Sequence, residues 1–295
     1  MIKQIKIENP NFPQKLKQIQ APPKTIYYQG NIELLNTPII SIIGSRKCSK
    51  NGEEITRKFA KELVKQGITI ASGMALGIDT IAHTETLKQG GKTIAVLGNG
   101  LYNIFPEENI ELYKQIIKQG GLVITEYPNE EKAKSKNFLE RNRIVSGISI
   151  GILIIEAMKR SGTSVTASYA IEQDKKVFAI PHEINNKNGK GTNELIRKGA
   201  ILVTKVKEII EEFEFLEYKE IKEEKKTVKE EINKKECKNN KYKEIYKYIN
   251  ETPISIEEIA KKSKKKISEI NSILTMMEIE EYIEKVAGGY KCKAN

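Results

Sequence analysis

The stretch IISIIGSRKCSKNG, residues 39–52, sets a largely apolar run, broken only by Ser41, against a turn of small residues and an arginine. A run such as 39–43, with no polar alternation, suits a strand covered on both faces of a sheet. Gly44 and Ser45 then let the backbone turn, and Arg46 follows at once. The pattern recurs where Ser72 and Gly73 follow the run 68–70, and where Ser161, Gly162 and Thr163 come after the run 152–155. Strand exits of this kind leave backbone N–H groups unpaired at helix N-termini, where the helix dipole favours an anion such as phosphate. Three such turns predict a phosphate-binding α/β domain.

Outward from that stretch, short β-branched runs alternate with amphipathic stretches of helical length between residue 38 and about residue 213, the order of a doubly wound, mostly parallel sheet. The runs 39–43, 68–71, 93–97, 122–125, 150–155, 176–179 and 201–203 read as strands. The stretches 53–66, 78–89, 109–119, 164–173 and 193–198 read as helices, several ending at a glycine that supplies the left-handed stop. Residues 1–37 are too few for a domain and predict an arm on the main domain, which spans 38–216. Lys and Glu dominate 217–240, which reads as a linker, helical or disordered.

Order returns over 241–295. Tyr242, Ile245, Tyr246 and Ile249 keep helical spacing, and Ser255 with Glu258 opens a second helix as a Ser-x-x-Glu capping box. A third helix runs from about 267 to 277, and Gly288 with Gly289 turns a hairpin between 282–286 and 290–293. Three helices and a terminal hairpin make a winged helix-turn-helix. Its third helix carries Glu269, Asn271, Ser272 and Glu278, while Lys261, Lys262 and Lys264 to Lys266 precede it, which favours a protein partner over duplex DNA.

The 295 residues carry 50 Lys and Arg against 39 Asp and Glu, a net charge of +11 that points to a polyanionic partner. A Lys-rich background composition accounts for part of that surplus. Cys48, Cys237 and Cys292 are too scattered for a disulfide framework or a metal site, and His83 and His182 are the sole histidines. Neither a signal peptide nor a membrane-spanning run is evident, so a cytoplasmic protein is expected. No Walker A or G-x-G-x-x-G pattern occurs, so no cofactor is expected.

The stretches GSRKCSKNG, SGMALGIDTIAH, GKTIAVLGNGLYNIFPEEN, ITEYP, FLERNRIVSGIS and EAMKRSGTSVTASYAIEQDKKVFAIP fall in one order across about 39–203. In these the chain resembles the DNA-processing protein A family (DprA/Smf), many of whose members also end in a winged helix. The resemblance implies an extended Rossmann-like fold, binding of single-stranded DNA, loading of the RecA recombinase in natural transformation, and a homodimer formed through the Rossmann-like domain. Cys48 stands where that family commonly has threonine, and Leu139 follows Phe138 where proline is usual.

Candidate contacts follow from both readings. Arg46 can fork onto a phosphate that the loop N–H groups also reach, or pair with Glu53 or Glu54. Arg141, Asn142 and Arg143 open a predicted helix after the loop 132–136; one arginine reads as a DNA contact, and the resemblance favours both. Phe138 can stack a base or pack in the core. Lys134 and Lys136 are candidate backbone contacts. Ser161, Gly162 and Thr163, one turn before Thr166, converge with Gly44, Ser72 and Gly73 on one sheet edge, or serve as simple helix caps. Asp79 reads as a cap and His83 as a packed residue, and no acid–base pair stands out alongside Glu156. Two rivals remain. One is a phosphoribohydrolase of the lonely-guy type, in whose motif Thr166 replaces the glutamate that cleavage needs. The other is a winged-helix transcription regulator.

Overall fold

The computed structural model describes residues 1–159, 161–220, 240–250, 253–286 and 288–293. They belong to two compact units, Met1–Ile221 and Lys222–Asn295. The Lys- and Glu-rich stretch expected to be a linker lies, from 221 to 239, outside the described residues.

In chain order the first unit contains β1 (Lys3–Lys6), α1 (Gln14–Lys17), β2 (Thr25–Gly30), β3 (Ile39–Ile43), α2 (Lys50–Lys65), β4 (Thr69–Ser72), α3 (Ile78–Lys88) and β5 (Thr93–Val96). There follow α4 (Ile110–Lys118), β6 (Leu122–Thr125), α5 (Ser135–Gly147), β7 (Gly151–Ile154), α6 (Gly162–Glu172), β8 (Lys176–Ala179), α7 (Lys190–Arg197), β9 (Ile201–Leu202) and α8 (Val206–Ile210). The nine strands lie in the order β1, β2, β6, β5, β4, β3, β7, β8, β9. All neighbours from β6 to β9 pair in parallel, whereas β2 runs antiparallel to β6 and β1 antiparallel to β2. The N-terminal arm therefore extends the sheet edge through β1 and β2, and its Phe12, Leu16 and Ile19 pack into the core beside α5.

From β3 the chain winds outward through β4, β5 and β6, and α5 then carries it back to β7 on the other side of β3. The border between β3 and β7 is thus a topological switch point, and an open α/β sheet has its crevice at the C-terminal ends of such strands. Alternation along β3 splits its side chains between two cores. Ile39 and Ile43 pack with Ile144, Val145 and Ile148 of the α5 layer, while Ile40 and Ile42 pack with Phe59, Ala60 and Leu63 of α2. Burying each such side chain contributes about 1.5–3 kcal/mol, which is why β3 carries no exposed position. Its one polar residue, Ser41, donates to Val145 O at 3.1 Å and lies 2.7 Å from the Ser149 hydroxyl. Gly67, Gly90, Gly120 and Gly199 stand just beyond α2, α3, α4 and α7 with φ of 79°, 72°, 76° and 105°, the left-handed stops expected of them.

Three helix starts differ from the sequence reading by three residues or more: α2 begins at Lys50 and α7 at Lys190, each three residues earlier than expected, and α5 begins earlier still relative to its arginines. α5 begins at Ser135, so Arg141, Asn142 and Arg143 sit inside the helix rather than at its start. Its N-terminal position is held by Lys134 with no side-chain cap, so no local signal marked the start.

The second unit consists of α9 (Asn240–Tyr246), α10 (Ile256–Ser263), α11 (Ile267–Ile279), β10 (Ile283–Val286) and β11 (Gly289–Cys292). Ser255 caps α10 by accepting from Glu258 N at 3.2 Å. Ile245, Ile249, Ile259, Ile270, Leu274 and Met277 form its core. Ile254 bridges Tyr290 through two backbone bonds of 2.9 Å, adding a third short edge to the wing. Among the described residues no helix is long and apolar enough to cross a membrane.

Candidate nucleic-acid interface

The turn after β3 is held from two sides. Ile78 N donates to Ser45 O at 3.2 Å, and a Cβ on Gly77 would lie 2.4 Å from that same oxygen, so the start of α3 presses directly on the turn. Gly44 is needed for the same reason, since a Cβ there would lie 2.7 Å from Ile78. On the other side the Glu156 carboxylate accepts from Ser49 N at 3.0 Å and from the Ser49 hydroxyl at 2.5 Å. Between these anchors the Arg46 side chain is exposed, with its guanidinium carbon 5.7 Å from the centroid of the Phe138 ring. Phe138 is half-buried, resting over Gly98, and stacks obliquely on Phe105 at 5.7 Å between centroids and 38° between planes. Phe105 is itself 44% exposed. A cation over one aromatic ring, with a second ring exposed beside it, can hold a phosphate and offer stacking faces to bases.

The N-termini expected to receive a foreign anion are partly filled by the chain itself. At α2, Gly52 N donates to Ser49 Oγ at 3.0 Å and Glu156 covers Ser49. At the turn after β4, Asp79 Oδ2 accepts from Gly73 N at 3.1 Å and Ala75 N at 3.3 Å. Asp79 therefore closes the loop ahead of α3 and does not cap the helix itself. Ser72 is buried, and its hydroxyl donates to Ile42 O at 2.6 Å. At α6 the arrangement differs. Ser161 holds the N-cap position but makes no side-chain cap bond, and its Oγ is buried without a partner. Gly162 is exposed and Thr163 buried.

Arg141 is buried, and its guanidinium donates to Gly73 O at 2.7 Å and to Val96 O. A Cβ on Gly73 would lie 2.6 Å from Arg141 Nη2 and 2.8 Å from Asp79 Oδ2, so the missing side chain makes room for this pair. Burial lowers the Arg141 pKa to about 10 although Asp79 opposes the shift. Burial likewise raises the Asp79 carboxyl, with Arg141 pulling it back. Arg143 forks onto Glu126 through two bonds of 2.6 Å and donates to Ala21 O at 2.9 Å, tying α5 to the segment before β2. Asn142 donates to Gly162 O at 3.3 Å and so links α5 to the start of α6. Lys136 is exposed and 3.3 Å from Glu140, and Lys134 pairs with Glu131 at 2.6 Å.

The structure thus brings Gly44, Ser45, Arg46 and Phe138 together at the switch crevice, joined through Asn142 to Gly162. It places Ser72, Gly73, Arg141 and Arg143 beneath or beside that surface with internal partners. Sequence reasoning missed Phe105; its only signal was an aromatic before Pro106 in the NIFPEEN stretch. Thr166, where a hydrolase would need a carboxylate, is buried and donates to Gly162 O at 3.3 Å. His83 is buried too, with Nδ1 2.7 Å from Thr93 Oγ1. Because the Thr93 hydroxyl donates to Ile70 O, His83 is the donor and its Nε2 carries no proton.

A family model described as DNA recombination-mediator protein A matches residues 3–214, and one described as DprA winged helix domain matches residues 236–289. Protein Smf of Escherichia coli is 41% identical over 204 residues, covering 69% of this chain and 54% of the relative. DNA processing protein DprA of Streptococcus pneumoniae is 40% identical over 204 residues, covering 69% of this chain and 72% of the relative. The chain spans about half the length of the E. coli and Synechocystis relatives it matches. The X-ray structure of the S. pneumoniae protein superposes with a TM-score of 0.69 at 39% identity, covering 72% of this chain and 75% of that one. A structure of DNA processing protein A from Helicobacter pylori, described by its single-stranded DNA binding mode, gives a TM-score of 0.65 at 32% identity, covering 72% and 94%.

Proposed function

The chain belongs to the DNA recombination-mediator protein A family, and on that premise we propose that it binds single-stranded DNA at the C-terminal edge of the β3 and β7 strands. The observation that carries the reading is the exposed Arg46 guanidinium over the Phe138 ring, with Phe105 continuing the aromatic surface. Arg46 holds a phosphate, with Lys136 and the Ser161 to Thr163 turn as further backbone contacts, and the rings take bases by stacking. Stacking and phosphate contacts are sequence-tolerant, so little sequence preference is expected. The job served is protection of incoming strands and loading of RecA in natural transformation and recombination, in the cytoplasm, by a homodimer. No catalytic turnover is proposed, since the buried carboxylates of Asp79 and Glu156 are committed to N–H and O–H donors.

The test is fluorescence anisotropy of a labelled oligo-dT and of a same-length duplex across a salt series, for wild type and Arg46→Ala. Arg141 is left intact because its guanidinium belongs to the core. Expected are single-strand preference, affinity that falls linearly on a log–log salt plot, and a loss of about ten-fold in the variant. Duplex binding as strong as single-strand binding and unchanged by Arg46→Ala would move the function to the winged helix.

A further inference from the structure

Glu156 follows β7 at the switch point, and its side chain is fully buried. Its described hydrogen-bond partners are uncharged donors: Ser49 N, the Ser49 hydroxyl and Asn188 Nδ2, the last at 3.3 Å. The Ser49 hydroxyl accepts from Gly52 N, so its proton points to the carboxylate. Gly52 permits this approach, for a Cβ there would lie 2.5 Å from the carboxylate carbon. The carboxylate therefore sits over the first turn of α2, where the helix dipole supplies its counter-charge. Asn188 Nδ2 also donates to Lys47 O at 3.2 Å, and Asn188 is itself held by Ala157 N at 2.8 Å. Lys47 and Ser49, the residues these contacts grip, bracket Cys48 and follow Arg46 directly.

We propose that Glu156 is a positioning residue for single-strand binding: through Ser49 and Asn188 it fixes the turn that presents Arg46 over Phe138. The inference rests on Arg46 being the phosphate contact. All three groups donate to the carboxylate. A glutamine of the same shape accepts from Ser49 N and Asn188 Nδ2 but forces the Ser49 hydroxyl proton to turn away, and that lost bond loosens the turn.

A double-mutant cycle in the full chain tests it, with wild type, Arg46→Ala, Glu156→Gln and the double variant titrated against labelled oligo-dT across salt. Expected for Glu156→Gln is a loss of about ten-fold in wild type but under about two-fold in the Arg46→Ala background. The salt slope should fall by about one phosphate's worth in both single variants. Alkylation of Cys48 by iodoacetamide, followed by mass spectrometry, should be several-fold faster in Asn188→Ala. That variant loosens the turn while leaving in place the burial and, after it, the Glu156 charge that hold the Cys48 thiol up. Unchanged or tighter binding by Glu156→Gln, or an equal loss in both backgrounds, would overturn the inference while leaving the Arg46 contact standing. Wild-type affinity in Arg46→Ala would remove that contact and the inference with it. Should Glu156→Gln lose its cooperative melt, Asn188→Ala carries the same cycle with a loss of about three-fold, and no loss there overturns the proposal.

Discussion

The turn after β3 and the turn before α6 flank the same crevice and look alike in sequence, yet they treat their helix N-termini in opposite ways. The first is closed from within: Ser49 caps α2 and Glu156 supplies the negative charge. The second has its serine in N-cap geometry, φ −112° and ψ 165°, without a cap bond and with an unpartnered hydroxyl. A small-residue turn into a helix thus tells where an anion belongs but not whose anion it is. The turn after β4 sides with the first, since Asp79 takes the N–H groups of Gly73 and Ala75.

The closed side should reveal itself in stability and the open side in binding. Asp79→Ala strips those two N–H groups and leaves Arg141 buried without its opposing carboxylate. We expect a loss of about 3–5 kcal/mol in urea unfolding, and a loss below 1 kcal/mol would break the contrast.

His83, in the helix that Asp79's turn leads into, gives a pH signature of comparable size. Burial, with Arg141 adding to it, lowers its pKa from 6.5 to about 3, so folding favours the neutral ring. Between those values the unfolded chain binds the proton that the folded chain refuses. The stability contributed is therefore complete above about pH 6.5 and is lost as pH falls toward 3, roughly 5 kcal/mol in all. Unfolding free energy measured over that window should fall less steeply for His83→Gln than for wild type; identical slopes would remove the histidine from the account.

A direct comparison of the two turns comes next in size. Ser49→Ala should cost about 1 kcal/mol or more, as the loss of a cap does. Ser161→Ala should stay within about 0.5 kcal/mol of wild type while weakening oligo-dT binding about three-fold. Equal destabilisation by both would erase the difference between the turns. The smallest effect is expected from the second unit. Among its basic cluster Lys265 already pairs with Glu269 at 2.9 Å and Glu244 at 3.5 Å. Lys262→Glu with Lys266→Glu should change oligo-dT affinity by less than about two-fold at 0.15 M salt, because the proposed phosphate and base contacts all belong to the first unit. A larger loss would bring the winged helix into the single-strand site.

The order of elements from β3 to β9 was legible because each strand is a short apolar run and helices end at glycines whose positive φ the chain actually uses. The start of α5 was not, because Lys134 provides no cap to mark it. Of the candidate site, Arg46 and Phe138 were singled out separately in the sequence, and the fold brings the guanidinium carbon within 5.7 Å of the ring centroid. Arg141 and Arg143 looked equivalent to Arg46 in sequence, and neither their carbonyl partners nor the Glu126 fork lies near them in the chain. Phe105 was hidden for the same reason, since it meets Phe138 only once β5 and α5 are packed.

By itself the sequence determined the strands from β3 to β9, most helix ends and the chemistry available at the switch point, since periodicity, capping and backbone freedom are decided within a few residues; β1 and β2 were read only as an arm. Only the tertiary structure decided which arginine faces solvent and which turns are already filled. Those outcomes depend on burial and on partners such as Glu156 and Ser49, 107 residues apart, and a charge is held or exposed according to neighbours that the chain assembles only when it folds.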